Sequence, residues 1–324
     1  MSDGPWSGRR LHLIGVGGAG MSAYARAAHA LGATVSGSDR ASSPYLEALR
    51  AFCEAGGGNL DPDTVATPGS WDTALLAAGA ALAAVDGLAA GEGDVAFVAA
   101  RPPGHHALAD QPMGFCLLNN VAVAAASLTA RGERVLVVDW DVHHGNGTQA
   151  IFWDDPDVLY VSTHEWPLYP GTGRVQETGG PGAPGLTVNV PVPAGATGNV
   201  LCHALDDVVA PVVERFGPTW VLVSAGYDAH RADPLADLAL TAGDFADMAR
   251  RVRSFAPSAG RMAVLLEGGY DLDALRQSVG ATLAALLDAG YRPEPASSGG
   301  PGAAAVEAAL RVHQPERAGG ETAR

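Results

Sequence analysis

Three side chains in this sequence have the chemistry of a metal site. Asp141 and His143 stand two residues apart, and Asp228 follows much later in the chain. If Asp141 and His143 alternate along a strand, both point to one face, where Asp228 from a neighbouring strand end could share the ion. Two carboxylates and one imidazole leave a coordination position open for water or substrate, which is typical of a catalytic metal site. An isolated Asp-x-His pair is common, so the pair by itself is weak support.

Two further groups could move protons or stabilise charge. His105 and His106 are adjacent and follow a Pro-Pro-Gly turn at residues 102–104, and Tyr270 follows the glycine pair at residues 268–269. An imidazole can exchange protons near neutral pH, and a phenol can donate a hydrogen bond to a developing oxyanion. A histidine pair is more often structural than catalytic, and the tyrosine could equally form a pocket wall.

Four short apolar segments precede these polar side chains. Segments of this kind, bounded by glycine and proline, indicate strands that are buried on both faces. Open parallel sheets bind ligands beyond the carboxyl ends of their strands, so the sequence predicts an α/β fold with its chemistry at one edge of a mostly parallel sheet. The segments are residues 95–98 (VAFV), 135–138 (VLVV), 221–223 (VLV) and 263–266 (AVLL).

Composition limits the classes of function. The 324 residues are 47% apolar, enough for a sizeable core, and the formal net charge of -15 disfavours a nucleic-acid surface. The acidic balance leaves open attraction of cationic substrates such as lysine side chains or polyamines, although a solvated acidic surface is the simpler interpretation. Three widely spaced cysteines, Cys53, Cys116 and Cys202, predict neither a disulfide framework nor a thiolate metal site.

The apolar stretch at residues 75–90 is interrupted by glycine and aspartate. It falls short of the roughly 20 apolar residues that a membrane span needs, so we expect a packed helix with Ser70 as its N-cap and no membrane association. No signal peptide is evident, and a cytoplasmic location is expected.

The first forty residues have a different pattern. Residues 11–14 predict a strand, residues 21–31 a helix and residues 34–39 a second strand that ends at Asp39. A glycine motif of the form G-x-G-x-x-G between the first strand and the helix would let backbone approach a pyrophosphate, while Asp39 could bind a ribose hydroxyl. The glycines of this motif are Gly15, Gly17 and Gly20.

Residues 12–39 resemble the first strand, loop and helix of the Mur ligases, especially UDP-N-acetylmuramate-alanine ligase. Nothing downstream matches the phosphate-binding loop that an ATP-dependent ligase needs, so ligase activity is not supported. A nucleotide-binding or oxidoreductase protein would need a complete βαβαβ unit, and only a partial Rossmann-like β-α-β start is present.

Residues 43–312 resemble the zinc-dependent histone deacetylase family, in its class II-like bacterial branch of acetoin-utilisation and acetylpolyamine-amidohydrolase proteins. The resemblance implies a three-layer, open, mostly parallel sheet flanked by helices, as in arginase and the deacetylases. It rests on residues 68–71 (PGSW), 101–107 (RPPGHHA), 114–120 (GFCLLNN), 139–149 (DWDVHHGNGTQ), 169–173 (YPGTG), 224–235 (SAGYDAHRADPL) and 267–272 (EGGYDL).

The resemblance also implies a role for each reactive group. The metal ligands would be Asp141, His143 and Asp228, holding Zn²⁺ with Fe²⁺ or Co²⁺ as alternatives. His106 would act as general base and then acid with His105 as its electrostatic partner, and Tyr270 would stabilise the oxyanion. Asp139 would orient His105, and Asn146 would orient His106 while leaving it less basic than an aspartate would.

The same resemblance places a substrate channel and a second ion. Gly114, Phe115 and Tyr169 would line the channel, although core packing is the alternative for both aromatic residues. Leu235 occupies a rim position where polyamine-selective relatives have an acid, which favours acyl-lysine. Ser162 and Thr163, with Asp139, match a structural site for K⁺ or Na⁺.

The sequence therefore predicts a Mur-ligase-like fragment at residues 1–42, a deacetylase-like catalytic domain at 43–312 and a disordered tail at 313–324. The expected activity is hydrolysis of an acetylated lysine in a protein or peptide, or of an acetylpolyamine. The alternatives are a nucleotide- or UDP-sugar-binding fragment and a deacetylase homologue inactivated by its altered N-terminus. The physiological substrate and the oligomeric state stay open.

Overall fold

A computed structural model of the chain describes residues 10–14, 34–38 and 43–314. Ten strands lie in these ranges: β1 (Arg10–Ile14), β2 (Thr34–Ser38), β3 (Gly58–Asn59), β4 (Val65–Ala66), β5 (Ala96–Val98), β6 (Val135–Asp139), β7 (Val158–Glu165), β8 (Thr187–Val192), β9 (Trp220–Ala225) and β10 (Met262–Leu266). The helices are α1 (Pro44–Glu54), α2 (Ser70–Ala89), α3 (Asn120–Thr129), α4 (Asn146–Ile151), α5 (Gly198–His203), a π-helical turn (Ala204–Val209), α6 (Ala210–Phe216), α7 (Ala242–Ser254), α8 (Leu272–Leu286) and α9 (Ala303–His313).

Six strands form the central sheet in the order β5-β10-β9-β6-β7-β8, and every neighbouring pair is parallel. Every residue of β6, β7 and β9 is buried, because helices cover both faces of the sheet. Alternate residues of each strand serve the two layers. Leu136 and Val138 pack in the core under α7 and α8, whereas Val135 and Val137 pack in the core under α2 and α3. The predicted three-layer parallel fold is confirmed.

Helix α2 is the packed helix expected from the alanine- and leucine-rich stretch. Leu82 and Val85 are fully buried, and the helix packs against α3 and β5. Its N-cap is Gly69 rather than Ser70, which is the first helical residue and whose hydroxyl accepts a hydrogen bond from the Thr67 amide at 2.8 Å. Among the described residues, α2 is the single helix whose length and composition would allow it to cross a membrane, and half of it is buried within the fold.

Strands β1 and β2 pair in parallel as a separate two-stranded sheet, in the register Arg10 with Thr34 through Ile14 with Ser38. Both predicted N-terminal strands are therefore confirmed. Neither belongs to the six-stranded sheet, and β5 forms one edge of that sheet in the part of the chain described. The predicted helix and the Gly15, Gly17, Gly20 and Asp39 site lie outside the described residues.

Helix α9 is followed by Gln314, which attaches the C-terminal segment to the rest of the fold. The Gln314 side-chain amide donates hydrogen bonds to the carbonyls of Asp207 and Val208, at 2.7 and 3.2 Å. Both carbonyls belong to the π-helical turn, so this contact joins the C-terminal segment to the helical layer. Residues 315–324, most of the predicted tail, lie outside the described residues.

Candidate metal centre

Asp141, His143 and Asp228 converge at the carboxyl ends of β6 and β9, with one potential ligand atom from each within 4.8 Å of the others. His143 Nδ1 lies 3.1 Å from Asp141 Oδ1 and 3.2 Å from Asp228 Oδ2. The prediction that Asp141 and His143 alternate on a strand is wrong, because β6 ends at Asp139 and both residues lie in the following loop. The His143 amide donates to Asp141 Oδ1 at 2.9 Å, and this turn brings both side chains to one side.

The two carboxylates are almost fully buried and are oriented by backbone donors. Val142 N–H donates to Asp228 Oδ1 at 3.0 Å, and Gly268 N–H donates to Asp141 Oδ2 at 2.8 Å. Asp228 Oδ2 makes no hydrogen bond of acceptable geometry among the described residues, although His143 Nδ1 is nearby. A buried carboxylate oxygen in this position is costly unless a cation or donor satisfies it. The donor set fits a divalent ion of the Zn²⁺ type.

The side chain of Glu267 holds the turn that contains the histidine pair. One carboxylate oxygen accepts from the amides of Gly104 and His105, at 2.6 and 3.2 Å, and the other accepts from the Ser224 hydroxyl at 3.0 Å. Glu267 follows β10 directly and is buried, and burial raises its pKa to about 7. Glu267 was not predicted as a site residue, although its position between a strand and two glycines was a usable signal.

Each histidine of the pair has the partner that was predicted. His105 Nδ1 lies 3.0 Å from Asp139 Oδ2, and His106 Nδ1 lies 2.8 Å from Asn146 Oδ1. The oxygens of Asp139 and Asn146 are acceptors, so each Nδ1 carries a proton, and in a neutral ring Nε2 is then the nitrogen that can accept one. The two ring centroids are 4.1 Å apart.

The surroundings give the two histidines opposite charge preferences. Burial alone would lower the pKa of His105, but Asp139 and Asp141 raise it to about 10. Burial and the positive charge on His105 hold the pKa of His106 well below its ordinary value. At neutral pH the pair therefore consists of a charged His105 and a neutral His106 that can accept a proton.

A pocket of about 240 Å³ opens above these groups. Tyr270 lines it, and its ring meets that of Phe115 edge to face with centroids 6.0 Å apart. Burial, followed by the charges of Asp141 and Asp228, raises the pKa of the Tyr270 phenol, so the hydroxyl stays protonated and able to donate. The lining residues are Asp63, Pro103, His105, His106, Gly114, Phe115, His143, Leu168, Tyr169, Leu235, Gly268 and Tyr270.

The predicted channel residues form the mouth of this pocket. Phe115 is 38% exposed, Tyr169 37% and Leu235 45%, values that do not fit core packing. The Tyr169 ring stands perpendicular to the His106 ring with centroids 5.1 Å apart. Gly114 has φ +57°, and a Cβ there would collide with the His106 ring, so the wall needs glycine at this point. Asp63, at the same mouth, was not identified from the sequence because it lies in a loop without a motif.

The loop that contains Tyr169 is anchored by a buried polar cluster, whose residues were not predicted from the sequence. His144 Nδ1 lies 2.8 Å from the Thr172 hydroxyl, and its Nε2 lies 3.0 Å from Gln149 Oε1. His164 Nε2 donates to the Gly173 carbonyl at 3.0 Å. Burial lowers the pKa of His144 to about 4 and also lowers that of His164, so both rings are neutral and act as hydrogen-bond linkers.

The residues predicted to bind a monovalent cation are adjacent on two neighbouring strands of the sheet. Asp139 on β6 is the direct neighbour of Ser162 on β7, and Thr163 follows Ser162; all three are buried. Asp139 also accepts hydrogen bonds from the Tyr160 hydroxyl and the Asp141 amide, at 3.1 and 3.2 Å. The site thus shares Asp139 with the histidine pair, and the cation itself stays a prediction.

Comparison with known proteins gives one consistent result. The chain is 44% identical over 233 residues to a protein named histone deacetylase 10, chloroplastic, of Oryza sativa subsp. japonica, covering 69% of this chain and 53% of that protein. It is 45% identical over 231 residues to the histone deacetylase-like amidohydrolase of Pseudomonas aeruginosa, covering 70% and 61%. The chain thus spans 53 to 61% of the length of these two relatives.

Comparison with solved structures and with family models agrees with these sequence similarities. The crystal structure of the HDA15 HD domain aligns with a TM-score of 0.77 at 33% identity, over 90% of this chain and 88% of that one. The family model described as the histone deacetylase domain matches residues 24–286, which include the metal triad, the histidine pair and Tyr270. The chain belongs to the histone deacetylase domain family.

Proposed function

We propose that this chain is a metal-dependent amidohydrolase that removes acetyl or related acyl groups from lysine side chains or similar amines. The observation that supports it most directly is the position of the Asp141, His143 and Asp228 triad beside a charged and a neutral histidine at the base of an aromatic-walled pocket. Relatives with names such as histone deacetylase and deacetylase-like amidohydrolase support the same reaction class.

A divalent ion, Zn²⁺ in the first instance, would be held by Asp141, His143 and Asp228 and would polarise the acyl carbonyl and acidify the attacking water. Neutral His106 accepts the proton of that water and returns it to the leaving amine. His105 stays protonated between Asp139 and Asp141 and adds positive charge where the oxyanion develops. The protonated phenol of Tyr270 donates a hydrogen bond to the same oxygen.

The pocket mouth favours an acyl-lysine over a polyamine. Phe115 and Tyr169 both line the pocket with aromatic surface suited to the methylenes of a lysine side chain, and Leu235 provides an apolar rim. The mouth also contains Asp63, so a cationic or amide-bearing substrate is not repelled there. The monovalent cation near Asp139, Ser162 and Thr163 belongs to this proposal as structural support for the loop that bears Asp141.

The test is hydrolysis of an acetyl-lysine peptide and of acetylputrescine by the full chain loaded with Zn²⁺, beside Asp141→Ala and beside protein treated with a chelator. Turnover of the peptide that is lost in both controls would support the proposal. Activity that survives in both would overturn it, because the metal would then not take part. A folded, zinc-loaded chain that hydrolyses neither substrate would favour the inactive-homologue alternative.

The nucleotide-binding alternative depends on Gly15, Gly17, Gly20 and Asp39, which lie outside the described residues. Membership of the deacetylase domain family favours hydrolysis over this alternative. Binding of UDP-sugar or NAD(P) by the purified chain would restore it as a second function.

A further inference from the structure

Tyr270 lies between a glycine pair and Asp271, the N-cap residue of helix α8. It follows Gly268 and Gly269, and Gly269 has φ +131°, a conformation that other residues rarely adopt. Helix α8 begins only at Leu272, so the amides of Tyr270 and Asp271 are outside the strand and the helix. The backbone at Tyr270 is therefore held by the helix cap on one side and, at its amide, by a contact from another part of the chain.

That contact is the carboxylate of Asp233, which is 37 residues away in sequence from Tyr270. Its Oδ2 accepts a hydrogen bond from the Tyr270 amide at 2.7 Å and a longer one from the Asp271 amide at 3.3 Å. Its Oδ1 accepts from the Leu235 amide at 3.0 Å. Asp233 is 7% exposed, so these bonds are shielded from competing water.

One carboxylate thus connects two loops that follow neighbouring strands of the sheet, beyond the point where the strands pair. The first loop follows β9 and contains the metal-site residue Asp228 and the rim residue Leu235. The second follows β10 and contains Tyr270. Backbone contacts of Gly268, with Tyr227 and Asp141, fix the start of the second loop but not the residues after the glycine pair. Among the described contacts, Asp233 alone accepts the two amides at Tyr270 and Asp271.

We propose that Asp233 is a positioning residue for the reaction: it holds the Tyr270 hydroxyl at the oxyanion and couples that position to the channel rim at Leu235. This inference rests on the proposed hydrolase function. An oxyanion donor contributes fully only when it is already in place, and a misplacement of about 1 Å can cost about 10²-fold in rate. Loss of the carboxylate should therefore reduce kcat without weakening metal binding.

The kinetic test uses Asp233→Asn, which keeps the size of the side chain. An amide has only one accepting oxygen. Its NH₂ group must therefore face either the Leu235 amide or the amides of Tyr270 and Asp271. We expect kcat for an acetyl-lysine peptide to fall by about 10-fold or more with little change in KM. Asp273→Asn is the matched control, because Asp273 lies near Tyr270 in sequence and its side chain is 86% exposed.

A double-mutant cycle identifies the route of the effect. Tyr270→Phe removes the hydroxyl and should lower kcat by about 10²- to 10³-fold. If Asp233 acts through that hydroxyl, adding Asp233→Asn to Tyr270→Phe should cost almost nothing further. An undiminished second loss would overturn the proposal, because Asp233 would then support the fold in general.

Hydrogen exchange provides a readout that needs no turnover. Peptides containing the Tyr270 and Asp271 amides should exchange faster in Asp233→Asn than in the wild type and Asp273→Asn. Unchanged exchange would overturn the tether. Faster exchange in a chain that hydrolyses no acyl-amine would support the tether and count against the hydrolase function. If the wild type hydrolyses the peptide and Asp233→Asn changes neither kcat nor exchange, the hydrolase function is supported and the tether is overturned.

Discussion

Two neighbouring histidines with opposite charge preferences are the clearest feature at the scale of single residues. His105 is flanked by carboxylates, whereas His106 faces the neutral amide of Asn146 and the positive charge of its neighbour. The neutral amide of Asn146 therefore matters, because an imidazole that is to accept a proton has to be neutral beforehand. Asn146 is the position at which this balance can be changed with one substitution.

We expect Asn146→Asp to move the acidic limb of the pH–rate profile to higher pH. A carboxylate within hydrogen-bond distance of His106 Nδ1 raises the pKa of the ring, because it favours the charged form. Activity needs the neutral ring and is lost as pH falls through that pKa, so the mutant loses activity at a higher pH. The measurement is kcat/KM against pH for both proteins. An acidic limb at the same pH in both would show that it belongs to another group.

Glu267 gives a second prediction at this scale. Burial raises its pKa to about 7 from an ordinary 4.5, so between these values the folded state binds more protons than the unfolded state. The contribution of Glu267 to stability is therefore present at low pH and is lost as pH rises through 7. Gln can keep the three hydrogen bonds, with its oxygen towards Gly104 and His105 and its NH₂ towards Ser224.

Glu267→Gln should therefore raise the free energy of unfolding at about pH 8, by on the order of 1 kcal/mol, and raise it less or not at all near pH 5. Urea unfolding of metal-free protein at the two pH values would measure the difference. If Glu267→Gln changed the free energy of unfolding equally at both pH values, the raised pKa of Glu267 would be contradicted.

At the scale of elements, the loops beyond the strands hold the site, and each is anchored by side chains from elsewhere. The loop between β7 and β8 contains Tyr169 and, shortly after it, Gly171 and Gly173, both with positive φ near 80 to 90°. A Cβ at Gly171 would meet nothing within 4 Å, whereas one at Gly173 would collide with the rings of His144 and His164. An alanine at either position would have a strained backbone, but only at Gly173 would its Cβ also lack space.

Gly173→Ala should therefore raise KM for an acyl-lysine peptide and lower stability by more than Gly171→Ala does. The shared positive φ costs each variant roughly 1 kcal/mol, and only Gly173→Ala must also displace the buried histidines and the Tyr169 wall. Steady-state kinetics and urea unfolding of both variants would test this. Equal effects would show that backbone strain alone controls this loop.

The strands themselves were largely predictable. The four apolar segments became β5, β6, β9 and β10 to within one or two residues, because a strand buried on both faces must be apolar throughout. Strand β8 was not identified: its TVNVPV sequence mixes apolar residues with Asn189 and Pro191, a pattern tolerated because β8 is an edge of the sheet.

For the whole molecule, the candidate metal ligands come from two loops that lie far apart in the sequence. Asp141 and His143 follow β6, and Asp228 follows β9, so the triad exists only when the sheet is assembled. An ion that binds only the folded chain stabilises it by about 2.7 kcal/mol at a free concentration 100 times its Kd.

Addition of Zn²⁺ should therefore raise the Tm of chelator-treated protein by several degrees, and Asp141→Ala should abolish the rise. Asp273→Asn, an exposed carboxylate away from the triad, should keep it. Differential scanning calorimetry with and without the metal makes the comparison. An equal rise in Asp141→Ala would place the stabilising ion elsewhere.

The sequence by itself determined which side chains are available for chemistry and the class of the fold. Residue types and short-range spacing give the apolar strands and the Asp-x-His, His-His and Gly-Gly-Tyr motifs, since strand periodicity and turn formation are local properties. Only the tertiary structure decided how these pieces meet. It moved Asp141 and His143 off the strand, brought Glu267 beneath the Gly104 turn and tied Tyr270 to Asp233. Such contacts depend on how long loops pack over the sheet edge, and no local pattern encodes that packing.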